Sequence, residues 1–489
     1  MDLLYIVTPL LLILVVLAAV WLDRWSVPVI VVALGAGILF GSDVLNLVRF
    51  DDALLTNQVA NLALVFILFH GGFGTRRDDF RAVALPAGGL ATWGVVLTAL
   101  FSLLLFWKGL GWELPKACLL AAIISSTDAA AIFSILRRRA LPRKLSSLVE
   151  IESAANDPMA VLLTVIAVQS LAAGERLDWS VAGTFLWKFV VGPLTGWLLA
   201  RAALWLFNRL SPQERGHYYV LYLGVVMLTY GLAEWMQGSG MLAVFVAGFV
   251  MGNRPFVHKQ GVAAFSSALS TIANIGMFVL MGLLVFPRQW QTLWVDGLLL
   301  FLGLTLVSRP LAVFVGTLGM HLGVRKKLFI AWAGLRGSVP IVLATYPAAA
   351  GLPAGLSQDI FNLVFFAVLL SVLVQGSTLG AVARWLGFAA PSRPAPLYNL
   401  ELITMAHSDM DLVVVDLPGP QGAEGPFIHE LQLPPSAAIT LITRGKEVVS
   451  PRGPTRLKGW DQVTVLAPVG DETAIRHALL DPFQHRGGA

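Results

Sequence analysis

The chain has 489 residues, of which 57% are hydrophobic and only 13% are charged, and its mean hydropathy is +0.76. Soluble proteins carry about 25% charged residues, so this composition excludes a water-soluble enzyme over most of the length. The single cysteine, Cys118, excludes a disulfide scaffold. The net charge of +5 does not indicate nucleic-acid binding, because the basic residues lie in short loops between apolar segments.

Long apolar runs predict an all-α polytopic membrane protein with about 13 transmembrane helices. The first run lies between Asp2 and Arg24, the reverse of a signal peptide's positive start, so we interpret it as a true helix. We place the spans at residues 3–22, 27–41, 55–73, 84–107, 115–136, 146–172, 180–208, 217–236, 239–252, 265–286, 293–319, 327–349 and 358–386.

The distribution of Lys and Arg between alternate loops predicts the orientation. One set of loops holds 18 of these residues and the other set holds 5. Because cytoplasmic loops carry the excess of positive charge, we expect the N-terminus outside and the C-terminus in the cytoplasm.

The composition changes near residue 390, which separates a transmembrane domain (1–390) from a C-terminal part. A Pro-rich linker covers 391–396. Short β-type runs between Pro and Gly turns predict a small cytoplasmic α+β domain over 397–480, followed by a tail over 481–489. The clearest predicted strands are Leu412–Val415, Ala438–Thr443 and Gln462–Leu466.

Polar residues in the middle of the fifth span indicate a first interrupted helix. Ser125, Ser126, Thr127 and Asp128 stand in an otherwise apolar stretch. Their side chains compete for backbone hydrogen bonds, and exposed backbone at membrane depth is tolerated only beside protein or a water-filled cavity. A polar contact between intact helices is the alternative. The acid favours a broken helix that lines a site, because a buried charge is costly.

The sixth span carries the strongest candidate for ion binding. Asp157 shares one helix face with Ser153, while Glu152 and Asn156 share the neighbouring face. Pro158 removes a backbone donor and is expected to open the helix locally. A carboxylate, a hydroxyl and a freed carbonyl are hard oxygen ligands that suit an alkali cation.

The twelfth span contains Arg336 between Gly334 and Gly337, which predicts a second interrupted helix. A guanidinium at that depth needs a carboxylate partner. Glu152 is the first candidate for this partner and Asp128 the second. The alternative is that Arg336 reaches the cytoplasmic surface along its alkyl chain.

The two interrupted segments lie in different halves of the membrane region, in the fifth and twelfth spans. Paired interrupted segments indicate the substrate site of a secondary transporter built from inverted repeats. The pattern therefore favours an ion carrier over a pore.

These motifs together resemble the NhaP branch of the monovalent cation:proton antiporter superfamily. The C-terminal part resembles a TrkA-C (RCK-C) regulatory domain, and this combination is similar to bacterial potassium/proton antiporters. The membrane motifs are Ser126-Thr127-Asp128-Ala129-Ala130, Glu152-Ser153-x-x-Asn156-Asp157-Pro158 and Gly334-Leu335-Arg336-Gly337. The C-terminal motifs are Leu431-x-Leu433-Pro434, Ile439-x-x-Ile442-x-Arg444 and Pro451-x-Gly453-x-Thr455-x-Leu457-x-x-Gly459-x-Asp461.

The resemblance implies a homodimer with alternating access and a residue-by-residue site. Asp157 is implied to bind the cation and the proton, and Ser153 and Thr127 to be further ligands of K⁺ or Na⁺. Asn156 and Asp128 complete the cation- and proton-binding set, with Asn156 where electrogenic relatives carry a second Asp. Glu152 would pair with Arg336. The chain departs from the family where Ala129 replaces the usual Pro, and where the usual acid of the third span is replaced near His70.

The resulting hypothesis is an electroneutral monovalent cation/proton antiporter, preferentially for K⁺ and H⁺, and not an enzyme. It needs no cofactor, and its partners are monovalent cations, protons, the lipid bilayer and a second copy of the chain. A small-molecule or nucleotide ligand on the C-terminal domain is also expected. The alternatives are a Na⁺(Li⁺)/H⁺ antiporter, a cation channel with a TrkA-C domain, and a transporter of organic solutes.

Overall fold

A computed structural model describes residues 2–22, 29–48, 50, 52–128, 142–173, 180–210, 214–285, 290–320, 322–388, 410–418, 422–445, 447–468 and 471–484. The chain divides into two compact units. One consists of Met1–Ala203, Val220–Arg254 and Phe265–Ala390 and contains the candidate site. The other consists of Leu204–Tyr219, Pro255–Ala264 and Pro391–Ala489 and contains a C-terminal sheet. The predicted linker over 391–396 lies outside the described residues.

Helices account for nearly all of the membrane part. In chain order they are α1 (Asp2–Leu22), α2 (Val29–Phe40), α3 (Ala53–Gly74), α4 (Arg77–Gly89), α5 (Val95–Leu104), α6 (Leu114–Ile123), α7 (Arg143–Ala173), α8 (Ser180–Arg209), α9 (Gly216–Trp235), α10 (Gly240–Gly252), α11 (Lys259–Leu283), α12 (Trp290–Gly303), α13 (Arg309–Gly316), α14 (Val324–Trp332), α15 (Ser338–Leu343), α16 (Tyr346–Ala349), α17 (Ala354–Leu370) and α18 (Ser377–Trp385). Wider π turns join or extend some of them, at Leu90–Gly94, Leu105–Gly109, Leu304–Ser308 and Ser371–Gly376.

Within the described part of the chain, seven helices are long and apolar enough to cross a membrane, and five shorter apolar helices accompany them. Each of the thirteen predicted spans overlaps at least one helix. The helical membrane class is therefore confirmed, while the number of crossings stays a prediction.

The structure contains non-helical breaks at both positions where the sequence predicts an interrupted helix. Helix α6 ends at Ile123 and the backbone is not helical from there to Asp128. The rest of the predicted fifth span, from residue 129, lies outside the described residues. In the twelfth span, residues 333–337 separate α14 from α15. The expected local opening at Pro158 is wrong, because α7 continues from Arg143 to Ala173 as a helix.

Glycines allow a very close helix contact in the membrane part, between α3 and α10. A Cβ atom at Gly72 would collide with the carbonyl oxygen of Phe245, and one at Gly248 with that of Phe69. Glycine is required because the two backbones approach within the space of a side chain, as in small-residue packing of membrane helices. This contact fixes α3 and α10 as one rigid pair.

The C-terminal sheet consists of β1 (Met410–Asp416), β2 (Glu424–Phe427), β3 (Ala438–Arg444), β4 (Glu447–Val449), β5 (Arg456–Lys458) and β6 (Gln462–Pro468), followed by α19 (Glu472–Gln484). Four strands form an antiparallel sheet in the order β1-β6-β3-β4, and β2 pairs with β5. The three predicted strands fall in β1, β3 and β6. Alternate apolar side chains of these strands and two residues of α19, Ile475 and Leu479, form the core.

Two residues of the TrkA-C-like motif meet in this domain. Arg444 donates to both carboxylate oxygens of Asp461 at 2.8 and 2.7 Å, and the Asp461 side chain is fully buried. This hydrogen bonding raises the pKa of the Arg444 guanidinium. The predicted domain end at 480 is too early, because α19 continues to Gln484 and Phe483 packs against the core.

The glycine contact between α3 and α10 gives a stability prediction. We expect Gly248→Ala to lower the melting temperature in detergent, because overpacking against a backbone typically costs about 1–3 kcal/mol. Gly224→Ala is the matched control, since a Cβ there meets nothing within 4 Å and glycine lies in a helix interior. This control should leave stability unchanged or raise it by up to about 1 kcal/mol. Equal melting of the two variants would contradict the tight contact.

Candidate functional site

The two interrupted segments meet each other in the structure. The backbone N–H of Asp128 donates to the carbonyl oxygen of Leu335 at 2.8 Å. This bond joins the non-helical stretch after α6 to the non-helical stretch between α14 and α15. Backbone groups that are not bonded within helices thus find partners in each other, as membrane depth requires.

Arg336 bonds to backbone carbonyl oxygens in the non-helical stretch just after α6. Its Nη1 donates to the carbonyl oxygen of Ser125 at 3.0 Å and to that of Ser126, and the side chain is 2% exposed. Carbonyl groups outside a helix have no intrahelical donor, so at membrane depth they need another partner. The alternative that Arg336 reaches the cytoplasmic surface along its alkyl chain is therefore wrong, and the expected buried position is confirmed.

Asp128 has the opposite role at the second break. Its Oδ2 accepts from the backbone N–H of Ser338, the first residue of α15, at 3.0 Å. A negative side chain beside helical N–H groups is electrostatically favourable. A Cβ atom at Gly337 would overlap the Asp128 carboxylate, so this close approach requires glycine.

The wide turn Ser371–Gly376 stabilises the second break through side-chain hydrogen bonds to its backbone. The Ser371 hydroxyl accepts from the backbone N–H of Arg336 at 2.9 Å and donates to Gln375 at 2.6 Å. The Gln375 amide in turn donates to the carbonyl oxygen of Trp332 at 3.1 Å. The polar side chains of this segment satisfy the backbone at both edges of the break.

Three of the predicted ligands form one fully buried cluster. The Thr127 and Ser153 hydroxyl oxygens lie 2.7 Å apart, and the Asn156 amide donates to the Thr127 hydroxyl at 2.6 Å. Helix α7 supplies Ser153 and Asn156, and the first break supplies Thr127. Because Thr127 is not in a helix, its side chain can turn toward α7.

Asp157 lies next to this cluster and lines a small cavity with room for about one water molecule. Its side chain is 4% exposed, and its Oδ1 is buried without a hydrogen-bond partner. Asn61 and Tyr346 contribute polar groups to the cavity, whose other lining residues are apolar. Asp128 lies within electrostatic range of Asp157. A buried carboxylate oxygen without a donor can accept a proton or bind a cation.

The buried ion pair differs from the expected one. Glu152 pairs with Arg309, whose Nη2 lies 2.5 Å from Oε1 of the carboxylate, and both side chains are almost fully buried. Glu152 and Arg336 lie within electrostatic range, but Arg336 bonds to carbonyl oxygens instead. The predicted Glu152–Arg336 pair is thus corrected to Glu152–Arg309.

Sequence reasoning missed Arg309. It follows a π turn and precedes Pro310 in the eleventh predicted span. The sequence could have indicated it, because Arg309 is a charged residue within a predicted span and, like Arg336, needs a partner at membrane depth. A Cβ at Gly334 would approach the Arg309 side chain, which explains one of the two glycines around Arg336.

Comparisons with known proteins agree with this architecture. Residues 10–385 match the family described as sodium/hydrogen exchanger, transmembrane. The K⁺/H⁺ antiporter NhaP2 of Shewanella oneidensis is 36% identical over 453 residues, which cover 91% of this chain and 77% of the relative. The K⁺/H⁺ antiporter NhaP of Alkalimonas amylolytica is 34% identical over 472 residues, which cover 95% of this chain and 81% of the relative.

A solved structure shares the helical fold. The sodium proton antiporter MjNhaP1 from Methanocaldococcus jannaschii matches with a TM-score of 0.68 and 24% identity, and the match covers 79% of this chain and all of that chain. At this identity the likeness shows the fold alone. The family match and the relatives confirm the resemblance found in the sequence: the chain belongs to the sodium/hydrogen exchanger family of transmembrane cation/proton antiporters, in its NhaP branch.

Proposed function

We propose that this chain exchanges K⁺ for H⁺ across a bacterial inner membrane and that Asp157 binds the two ions in turn. The observation that carries the proposal is the buried Oδ1 of Asp157, which has no hydrogen-bond partner and lies beside a cavity. The names of two relatives, both K⁺/H⁺ antiporters, support the choice of K⁺.

The balance of buried charges supports coupled exchange. Among the described residues of the helical unit, the buried acids and bases other than Asp157 are Asp128, Glu152, Arg309 and Arg336. These four cancel in formal charge, so the Asp157 carboxylate leaves a net charge of −1. A carrier moves a buried net charge through the membrane only at high cost. Either a proton or a monovalent cation restores neutrality, and the carrier crosses with one or the other.

The hydroxyl cluster supports cation binding at the same place. An alkali cation that leaves water needs oxygen atoms to replace its hydration shell. Ser153 and Thr127 present such oxygens, and Asn156 fixes the position of Thr127 by its hydrogen bond. Because Asn156 is neutral, the proton-bound and the cation-bound forms have equal net charge. We therefore propose that exchange is electroneutral.

Exchange of Na⁺ or Li⁺ for H⁺ is the second candidate. A relative from Halobacillus dabanensis named Na⁺/H⁺ antiporter NhaH is 31% identical over 292 residues, which cover 56% of this chain and 69% of the relative. The same oxygen types bind either cation, so the ligand set is compatible with both.

We also propose the arrangement of the chain in its membrane. The excess of Lys and Arg in one set of loops supports an external N-terminus and a cytoplasmic C-terminal domain. The paired motif residues Arg444 and Asp461 support a TrkA-C type of regulatory domain. The family resemblance is the ground for proposing a small-molecule or nucleotide ligand on it. A homodimer follows from the family resemblance.

Asp157→Asn should abolish cation-driven proton movement, because an amide neither releases a proton nor neutralises a cation. Proteoliposomes with a pH-sensitive dye inside would receive KCl, NaCl or LiCl in turn. Wild-type protein should respond to KCl, and a response restricted to NaCl and LiCl would favour the second candidate. Asp78→Asn, at an exposed position, is the matched control and should retain exchange. Full activity of Asp157→Asn would exclude the proposed role.

The exchange rate should not depend on membrane potential. A gradient of the permeant anion thiocyanate can set the potential in the same vesicles while K⁺ and H⁺ gradients are held fixed. Equal rates at both polarities are expected. A direction of transport that reverses with voltage at zero chemical gradients would show an electrogenic exchanger or a channel.

Breaking the buried ion pair should affect stability more than cation affinity. Glu152→Gln or Arg309→Met alone leaves one uncompensated buried charge and should cost about 3–5 kcal/mol. The double variant removes both charges and should recover part of this loss. Thermal melting in detergent measures both effects. A double variant that melts no higher than the less stable single variant would argue against the pairing.

A further inference from the structure

A line of hydrogen bonds connects α3 to the second interrupted helix at one end of the Asp157 cavity. Asn57 donates to the Thr345 hydroxyl at 2.8 Å, and Asn61 donates to the Asn57 carbonyl oxygen at 2.7 Å. Tyr346 shares a side-chain hydrogen bond with Asn61. The asparagines lie one turn apart on α3, so they present two amides to the turn between α15 and α16.

This line of bonds directly adjoins the ion site. Asn61 and Tyr346 line the same cavity as Asp157, and the remaining lining is apolar. An ion that reaches Asp157 from the end where α3 begins must therefore pass these polar side chains or displace them. The opposite end of α3 carries no part of this line.

The bonds join two groups of helices that face each other across the cavity. The first group is α3 and α10, which pack through glycine contacts and line the cavity with Leu64 and Met241. The second group is α7 and the segment around the second break, which line it with Asp157 and Val342. Each neutral hydrogen bond contributes only about 0.5–1.5 kcal/mol net, so a few of them can hold the groups together and still separate on a transport timescale.

Negative charge lies beyond these bonds. Glu234 near the end of α9 is exposed, and its Oε1 accepts from the backbone N–H of Gly240 at 2.8 Å. Its charge lies within electrostatic range of Tyr346 and Tyr230. A carboxylate at the mouth of a passage raises the local cation concentration. The negative charge of Glu234 near Tyr346 therefore favours the approach of cations and protons from this side.

We propose that Asn57, Asn61, Thr345 and Tyr346 form a gate that closes one side of the Asp157 cavity and opens once in each transport cycle. The proposal rests on the exchange function proposed for Asp157. It identifies the contacts between the two helix groups that break when the site becomes accessible from the end where α3 begins.

A reversible cross-link tests the gate. Asn57→Cys and Thr345→Cys are combined with Cys118→Ala, and a short bis-methanethiosulfonate reagent joins the two thiols. We expect K⁺/H⁺ exchange to fall in proportion to the cross-linked fraction and to return after reduction. A monofunctional methanethiosulfonate, which modifies both thiols without joining them, is the matched control and should leave more activity. Each single-cysteine variant, treated in the same way, controls for side reactions.

Three results would overturn the gate: undiminished exchange in cross-linked protein, equal loss with the monofunctional reagent, or failure of the two thiols to cross-link. Absence of exchange in wild-type protein would instead overturn the proposed function. The gate would then be decided by the labelling measurement described next, which does not require transport.

Cavity accessibility tests the gate without transport. Leu64→Cys in the Cys118→Ala background places a thiol in the cavity, and a membrane-impermeant maleimide is applied to oriented vesicles from the side where α3 begins. Adding Thr345→Val removes the hydroxyl that Asn57 bonds, at nearly constant volume, and should raise the labelling rate severalfold. Ser377→Ala, at an exposed position away from the cavity, is the control. Equal labelling rates for the Thr345 and Ser377 variants would contradict the gate.

Discussion

A charge inside a membrane needs an opposite charge or an aligned dipole within a few ångströms, and this constraint governs the centre of the protein. Glu152 and Arg309 satisfy it as a direct ion pair. Arg336 satisfies it with carbonyl oxygens in the break just after α6, and Asp128 with a backbone N–H at the start of α15. Among the described acids, Asp157 differs from Glu152 in lining a cavity, and its Oδ1 is buried there without a hydrogen-bond partner. Four of these charged side chains thus have a fixed partner in the protein, and we propose that the Asp157 carboxylate takes a transported ion as its partner.

The two interrupted helices are the structural means of meeting this constraint. A continuous helix hides its carbonyl and N–H groups, whereas a break presents them to a side chain from another segment. Arg336 lies in one break and bonds to the carbonyls of the other, and Asp128 does the reverse. The breaks stabilise each other without placing an excess charge in the membrane. They also bring Thr127 out of the helix and toward Ser153.

The proposed ion site and the proposed gate differ in the chemistry of their side chains. At the proposed site, a buried carboxylate (Asp157) lies beside two hydroxyls (Thr127 and Ser153), which are the oxygens we propose as ion ligands. At the proposed gate, neutral amides and hydroxyls such as Asn57 and Thr345 form bonds weak enough to exchange. Tyr346 belongs to both regions, since it lines the cavity and bonds to Asn61. Movement at the gate is thereby linked in space to occupancy of the site.

The amino-acid sequence by itself determined the helical membrane class, the positions of both interruptions and the presence of an acid, Asp157, at membrane depth. Apolar run length and the high cost of charges in lipid make these features local properties of the chain. Only the tertiary structure decided that Glu152 pairs with Arg309 and that Arg336 bonds to backbone. These contacts join residues 157 and about 210 positions apart. Helix packing selects among several nearby charges, and no local pattern encodes that choice.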